Sequence, residues 1–179
     1  MTEGRDRTRR GLLIVNTGDG KGKTTAALGT ILRAWGREMN VEIFQFIKHS
    51  TGNWGEIRAL NKMGISITTM GAGFTWLSKD LNRDAGLARD CWSLASRSIV
   101  SGSADIVVLD EFTYVLTRGW VAVEDALAAI RQRPQMRHVI ITGRSAPQML
   151  VEAADLVTEM RKIRHPYDNN IGAQPGIEF

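Results

Sequence analysis

The chain has 179 residues and a small positive excess, 23 Lys and Arg against 19 Asp and Glu, giving a net charge of +4 and a pI near 9.6. That length and 43% hydrophobic content suit one globular core and exclude a disordered or fibrous chain. Cys91 is the only cysteine, which excludes an intramolecular disulfide, and no run approaches the roughly 18 apolar residues of a membrane span.

Residues 1–10 are polar and arginine-rich. They read as a flexible N-terminal arm, or as a segment that orders over a bound anion, ahead of a single domain over residues 11–179. Arg5, Arg7, Arg9 and Arg10 carry much of the basic excess, so the charge permits an anionic partner without indicating nucleic acid. The arm has no apolar stretch of the export type, and a cytosolic setting fits.

Leu12 to Thr17 reads as a buried strand, Gly18 to Gly22 as a phosphate-holding loop, and Lys23-Thr24-Thr25 as the first turn of a helix. The glycines let the backbone curl so that successive N–H groups point at an anion. Lys23 adds a mobile cation, and Thr24 offers a hydroxyl to Mg²⁺ at the positive end of the helix. The general pattern G-x-x-x-x-G-K-[ST] wants glycine at position 17, where this chain has Thr17. Ala27, Leu28, Ile31, Leu32 and Trp35 continue the helix on one face, and Gly36 sits where it ends.

Val41 to Ile47 is a second strand, followed by Lys48, a polar loop and a helix near Glu56 to Lys62. Ile65 to Thr69 is a short third strand. A glycine-loosened segment, Gly71 to Leu77, carries Phe74 and Trp76, which from residue type alone read as core or loop anchors. Residues 83–100 form a helix whose face of Leu87, Ala88, Cys91, Trp92, Ala95 and Ile99 puts the thiol in the core. Ile106 to Phe112 is an apolar strand containing two terminal acids, Asp110 and Glu111. Ala122 to Arg131 is helical, and His138 to Thr142 is a strand ending at Gly143-Arg144. Ser145 to Ala154 is helical with Ser145 as N-cap and Pro147 in the first turn, and Leu156 to Met160 is a last strand before a turn-rich tail. Strands alternating with helices predict an α/β fold with a parallel sheet covered on both faces.

The acid-ended strand is the companion of the phosphate loop, since a carboxylate at its C-terminal end faces Mg²⁺ held by the loop threonine. Together the two motifs indicate a Mg–nucleotide site but do not name a reaction. Lys48 and Arg144 each follow a strand at the edge where α/β ligands bind, and read either as phosphate contacts or as solvated cations. His49, His138 and His165 share no metal-ligand spacing.

Several stretches, in this order, resemble the P-loop-type ATP:corrinoid adenosyltransferases. They are Thr17-Gly-Asp-Gly-Lys-Gly-Lys-Thr-Thr25, Gln45-Phe-Ile-Lys48, Gly73-Phe-Thr-Trp76, Val107-Val-Leu-Asp-Glu-Phe-Thr-Tyr114, Ile140-Ile-Thr-Gly-Arg144, Thr158-Glu-Met-Arg161 and Gly176-Ile-Glu-Phe179. They reach from Gly11 to the C-terminus. The family's loop resembles T-G-x-G-K-G-K-T, so Thr17 is no defect, and Asp19 stands where asparagine is the family residue.

The resemblance implies a three-layer P-loop NTPase-like (RecA-like) fold with a mainly parallel central sheet. It implies a reaction in which cobalt(I) of a reduced corrinoid attacks the ribose C5′ of ATP and expels triphosphate, in adenosylcobalamin biosynthesis or salvage. Thr17 to Thr25 would bind the nucleotide, in reversed sense along the loop, with Lys23 neutralising the leaving group. Thr24 and Glu111 would hold Mg²⁺ with Asp110 in support. Phe74 and Trp76 would displace the corrinoid's lower axial ligand. An electron-donating flavoprotein and a homodimer are the implied partners. A P-loop kinase or ATPase, or a non-catalytic ATP-dependent corrinoid-binding switch, stays open as an alternative, as does the acceptor: cobalamin, cobinamide or cobyrinic acid a,c-diamide.

Overall fold

The computed structural model describes residues 8–49, 54–71 and 80–178. Six strands form one sheet: β1 (Leu13–Thr17), β2 (Val41–His49), β3 (Ser66–Gly71), β4 (Ile106–Asp110), β5 (His138–Thr142) and β6 (Leu156–Glu159). Their order is β3-β2-β4-β5-β1-β6, and every neighbouring pair is parallel. The helices are α1 (Lys23–Trp35), α2 (Gly55–Lys62), α3 (Leu81–Ser101), α4 (Phe112–Thr117), α5 (Val123–Arg131) and α6 (Gln148–Ala153), with a 3₁₀ turn at Pro166–Asn169.

The apolar strands are covered on two sides because successive side chains leave a strand on opposite faces. Ile43, Val41, Ile106, Val108 and Ile140 meet Ala27, Ile31 and Ala34 of α1 and Leu60 of α2 on one face. Phe44, Phe46, Val107, Leu109, Val139 and Ile141 meet α3, α4, α5 and α6 on the other. Each fully buried Val, Leu or Ile contributes about 1.5–3 kcal/mol before entropy is subtracted. Cys91 is fully buried in the second layer, as its helical face predicted, and burial pushes its thiol up to about 12.

Four details differ from the sequence reading. In α1 the buried stripe is Ala27, Ile31 and Ala34, while Leu32 and Trp35 stand about half exposed. The 27/31/34 spacing centres the face on the sheet, so the parallel 28/32/35 row falls to its flank. Phe112 does not extend β4. Glu111 takes φ +60, which breaks the strand, and Phe112 opens α4 with its ring 5.0 Å from Trp92 and 4.8 Å from Phe46. Ser145 is not the N-cap of α6. It sits at φ +50, and the helix starts at Gln148 after Pro147. Finally, all four β6 residues are exposed, so the cover over both faces does not extend to that edge strand.

A buried arginine secures the end of α3. Arg137, 6% exposed, donates to the carbonyls of Ser98, Ile99, Gly102 and Ala104, which closes the helix C-terminus onto the start of β5.

Candidate functional site

β1 sends the chain across the sheet to β2, whereas its neighbour β5 sends it past β1 to β6, so the connections leaving these two adjacent strands run in opposite directions. Ligands in open parallel sheets bind outside the strand C-termini at such a reversal. Here the C-terminal ends of β1, β4 and β5 carry Thr17, Asp110 and Thr142.

The loop after β1 adopts its shape through close backbone contact. Gly18 has φ +95, and a Cβ there would lie 2.5 Å from the Met160 carbonyl oxygen; at Gly20 it would lie 2.7 Å from the carbonyl oxygens of Met160 and Arg161. The Gly20 N–H donates to Met160 at 2.6 Å, so it points at the segment after β6 and not inward with the anion-facing donors the sequence suggested. Gly22, at φ +115, is the N-cap of α1.

Lys23 is not a mobile cation as the chain stands. It is 6% exposed, and its Nζ donates to the carbonyls of Gly18 and Gly20, both at 2.8 Å. Burial lowers its pKa, opposed mainly by the negative charge of Glu111. The ammonium therefore sits inside the curve of the loop at the positive end of α1.

Asp110 is 2% exposed and forms the hub of a polar network. Its Oδ1 accepts from the Thr24 and Thr142 hydroxyls, both at 2.8 Å, and its Oδ2 accepts from Gln45 Nε2 at 3.1 Å. Thr69 donates to Gln45 Oε1 at 3.3 Å, which extends the network to β3. Thr142 also accepts the Glu111 N–H at 3.0 Å, anchoring the residue that holds a left-handed backbone. Non-glycine residues held at positive φ cluster at functional sites because their surroundings must over-determine them. Glu111 lines the cavity beside Lys23 and Thr24.

That cavity, of about 580 Å³, is of ligand size. Its wall comprises Gly20 to Thr25, Leu28, Gly55, Glu56, Glu111, Arg144, His165 and Gly176 to Glu178. Arg144 reaches Asp19 at 3.6 Å between two exposed side chains, and Lys21 reaches Glu178 at 2.9 Å. Thr17 turns its hydroxyl to accept from the Ala146 N–H at 3.2 Å, away from the loop.

The structure thus brings together Lys21, Lys23, Thr24, Thr25, Glu111, Asp110 and Arg144. Phe74 and Trp76 lie outside the described residues, as do residues 1–7 of the arm and the side chain of Lys48. Arg10 pairs with Asp155. Sequence reasoning singled out neither Thr142 nor Gln45: Thr142 is a polar residue at the C-terminal end of an apolar strand, the same signal that marked Asp110, whereas Gln45 lies inside β2, where no strand end marks it. It also passed over the cavity wall supplied by His165 and Gly176 to Glu178, which no periodicity foretells.

The donor set suits a hard cation that arrives with phosphates. Among the described residues no three His, Cys, Asp or Glu side chains cluster as a metal cage, whereas a threonine hydroxyl and two acids converge at the loop. Mg²⁺ in nucleotide sites takes one or two carboxylates and completes its shell with water and phosphate oxygens.

Comparison with known proteins agrees with this geometry. The fold superposes on the flagellar accessory protein FlaH from Methanocaldococcus jannaschii with a TM-score of 0.60 at 12% identity, covering 84% of this chain and 71% of that one. That likeness shows the α/β fold alone. The chain is 41% identical over 172 residues to a corrinoid adenosyltransferase of Escherichia coli K12, covering 95% of this chain and 86% of the relative. It is 41% identical over 175 residues to one of Pseudomonas aeruginosa, covering 97% and 86%, and 40% identical to the corrinoid adenosyltransferase CobA of Salmonella typhimurium, covering 95% and 86%. The model of the ATP:corrinoid adenosyltransferase family BtuR/CobO/CobP matches residues 9–179, and the chain belongs to that family.

Proposed function

We propose that the chain transfers the 5′-deoxyadenosyl group of MgATP to cobalt(I) of a reduced corrinoid. The cobalt electron pair forms the Co–C5′ bond, the C5′–O5′ bond breaks, and its electrons leave with inorganic triphosphate. Cobalt goes formally from the +1 to the +3 state, so no further oxidant is needed. The observation that carries the nucleotide half is the Thr24–Asp110 hydrogen bond beside the buried Lys23 in the wall of one cavity. Family membership carries the corrinoid half.

In this reaction the whole triphosphate departs, so the charge to be neutralised grows at its ribose end. Lys23, held by two loop carbonyls, supplies a cation already in place. The loop from Thr17 to Thr25 cradles the phosphates in the reversed sense, with Lys21 and Arg144 as further cations on the wall. Thr24 and Glu111, with Asp110 in support, hold Mg²⁺, which when bound offsets charge on the leaving group. Glu111 needs no general-base role because no water is activated. The Gln45 and Thr142 bonds keep Asp110 oriented while it accepts from Thr24.

Phe74 and Trp76 crowd the lower corrinoid face and exclude an axial donor, which makes four-coordinate cobalt(II) easier to reduce. Lys48 is a further phosphate contact. A flavoprotein supplies the electrons, and the working unit is a cytosolic homodimer. No described helix is long and apolar enough to cross a membrane.

One anaerobic assay tests the proposal. Protein, MgATP and chemically reduced corrinoid should give the spectrum of a cobalt–carbon bond and one equivalent of triphosphate. ADP and phosphate without that bond would replace the proposal with a kinase or ATPase. Binding of both substrates without product would make the chain a switch or carrier.

A further inference from the structure

The segment after β6 is built into the phosphate loop. Met160 donates its N–H to Thr17 at 2.8 Å and accepts from Gly20 at 2.6 Å. From there the chain passes the turn at Pro166–Asn169, reverses at Asn170 with φ +55, and returns so that Gly176 to Glu178 share a cavity wall with Lys21 to Thr25. The Glu178 N–H donates to the Gln174 carbonyl at 3.0 Å, which fixes the backbone of the returning turn. Its carboxylate then meets Lys21 Nζ at 2.9 Å, with the two side chains 19% and 43% exposed.

A carboxylate in the wall of a cavity for a polyanion is electrostatically adverse unless a cation separates the two. Here that cation is Lys21, a residue of the phosphate loop itself. The hydrogen bond from Lys21 holds the Glu178 carboxyl below its ordinary range, so Glu178 stays ionised at neutral pH. Lys23 differs, being held by neutral carbonyls that offer no full charge in competition.

We propose that Glu178 is an internal competitor of the triphosphate for Lys21, and that the C-terminal segment thereby limits how tightly the loop retains its leaving group. This rests on the nucleotide reading given above. The expelled triphosphate carries the same phosphate chain as the substrate plus the new charge at its ribose end, so a loop that binds ATP tightly retains the product more tightly still. Glu178 reclaims Lys21 as the product leaves. A half-exposed ion pair contributes little, so the effect is a few-fold change and not an on–off switch.

The test is tripolyphosphate binding by calorimetry, in the presence of Mg²⁺, to the wild-type chain, to Glu178→Gln and Glu178→Ala, to Lys21→Ala, and to each double variant. Wild-type protein that binds neither ATP nor tripolyphosphate overturns the nucleotide reading and this proposal with it. With the wild type binding, Glu178→Gln is expected to bind tripolyphosphate roughly threefold to fivefold tighter. Glu178→Ala should shift in the same direction, and neither change should matter when Lys21 is alanine. Unchanged or weaker binding in both Glu178 variants would make Glu178 a brace of the loop and overturn the competition alone. A gain that persists with Lys21→Ala would reflect bulk charge and overturn it too.

Discussion

The Thr24 hydroxyl donates to Oδ1 of Asp110 across 2.8 Å, which ties the first turn of α1 to the end of β4. The same oxygen also accepts from Thr142, while the second oxygen accepts from Gln45. Asp110→Asn presents an amide N–H₂ to donors on at least one side. It should lower the rate of Co–C bond formation by at least tenfold. It should also cost about 1–3 kcal/mol of stability, the penalty for a buried polar group left without its partner. Denaturant unfolding and the anaerobic assay read the two effects separately.

Lys23 makes two hydrogen bonds to its own loop and is the buried cation of the site. On the proposed reaction, Lys23→Ala removes a preplaced cation that would offset charge on the leaving group. The expected loss is roughly 10² to 10³ in rate, the range for one preorganised donor. Near-normal turnover would refute that role.

Thr142 joins Asp110 to the strained backbone of Glu111, donating to the Asp110 carboxylate and accepting from the Glu111 N–H. Thr142→Val keeps the shape and removes both bonds, so Glu111 loses the contact that holds φ near +60. The variant should fold with about 1–3 kcal/mol less stability and need more Mg²⁺ for half-maximal transfer. Thr142→Ser restores the hydroxyl and should recover the Mg²⁺ dependence. Failure of serine to rescue would assign the defect to packing.

Gly20 and Gly29 make a matched pair. A Cβ at Gly20 would overlap backbone oxygens of the Met160–Arg161 segment at 2.7 Å, whereas one at Gly29, on the exposed side of α1, meets nothing within 4 Å. Gly20→Ala should destabilise by about 1–3 kcal/mol and weaken ATP binding. Gly29→Ala should stabilise by about 0.5–1 kcal/mol through helix propensity. Thermal unfolding and nucleotide titration of the two variants check both signs.

His138 accepts the Leu12 N–H on Nδ1 at 3.1 Å, and burial, with Arg133 nearby, lowers its pKa from 6.5, against a smaller opposing effect of Asp105. The unfolded chain then takes up a proton before the folded one does. Stability falls as pH drops through 6.5 and levels off below the folded pKa. The melting temperature should fall more between pH 7.5 and 5.5 in the wild type than in His138→Asn, which keeps an acceptor and does not titrate. Equal slopes would remove His138 as the cause.

The strands were legible because a parallel strand covered on both faces must be apolar along its whole length, as Val107 to Leu109 and Val139 to Ile141 are. Asp110 and Glu111 stood out for the same reason, as charges at the end of such a run. Where a helix lies half against the sheet and half in water, periodicity named the face too broadly, and Leu32 and Trp35 proved to be flank residues. Ser145 read as a cap by type. The positive-φ turn at Gly143, where a Cβ would lie 2.1 Å from Thr113 Oγ1, and the φ of +50 at Ser145 itself delay the start of α6.

The sequence by itself determined the order of strands and helices, the loop with its lysine and threonine, the acid-ended strand and the resemblance that names the family. Those are properties of consecutive residues, since periodicity, turn chemistry and motif spacing act within a few positions of the chain. Only the tertiary structure decided that Thr142 and Gln45 orient Asp110, that Lys23 is folded into its own loop, and that the segment around Met160 fixes the loop glycines. It alone brought Glu178 onto Lys21, across 157 positions of sequence. Such contacts depend on which strand ends and returning segments the sheet order places side by side, and no local pattern records that.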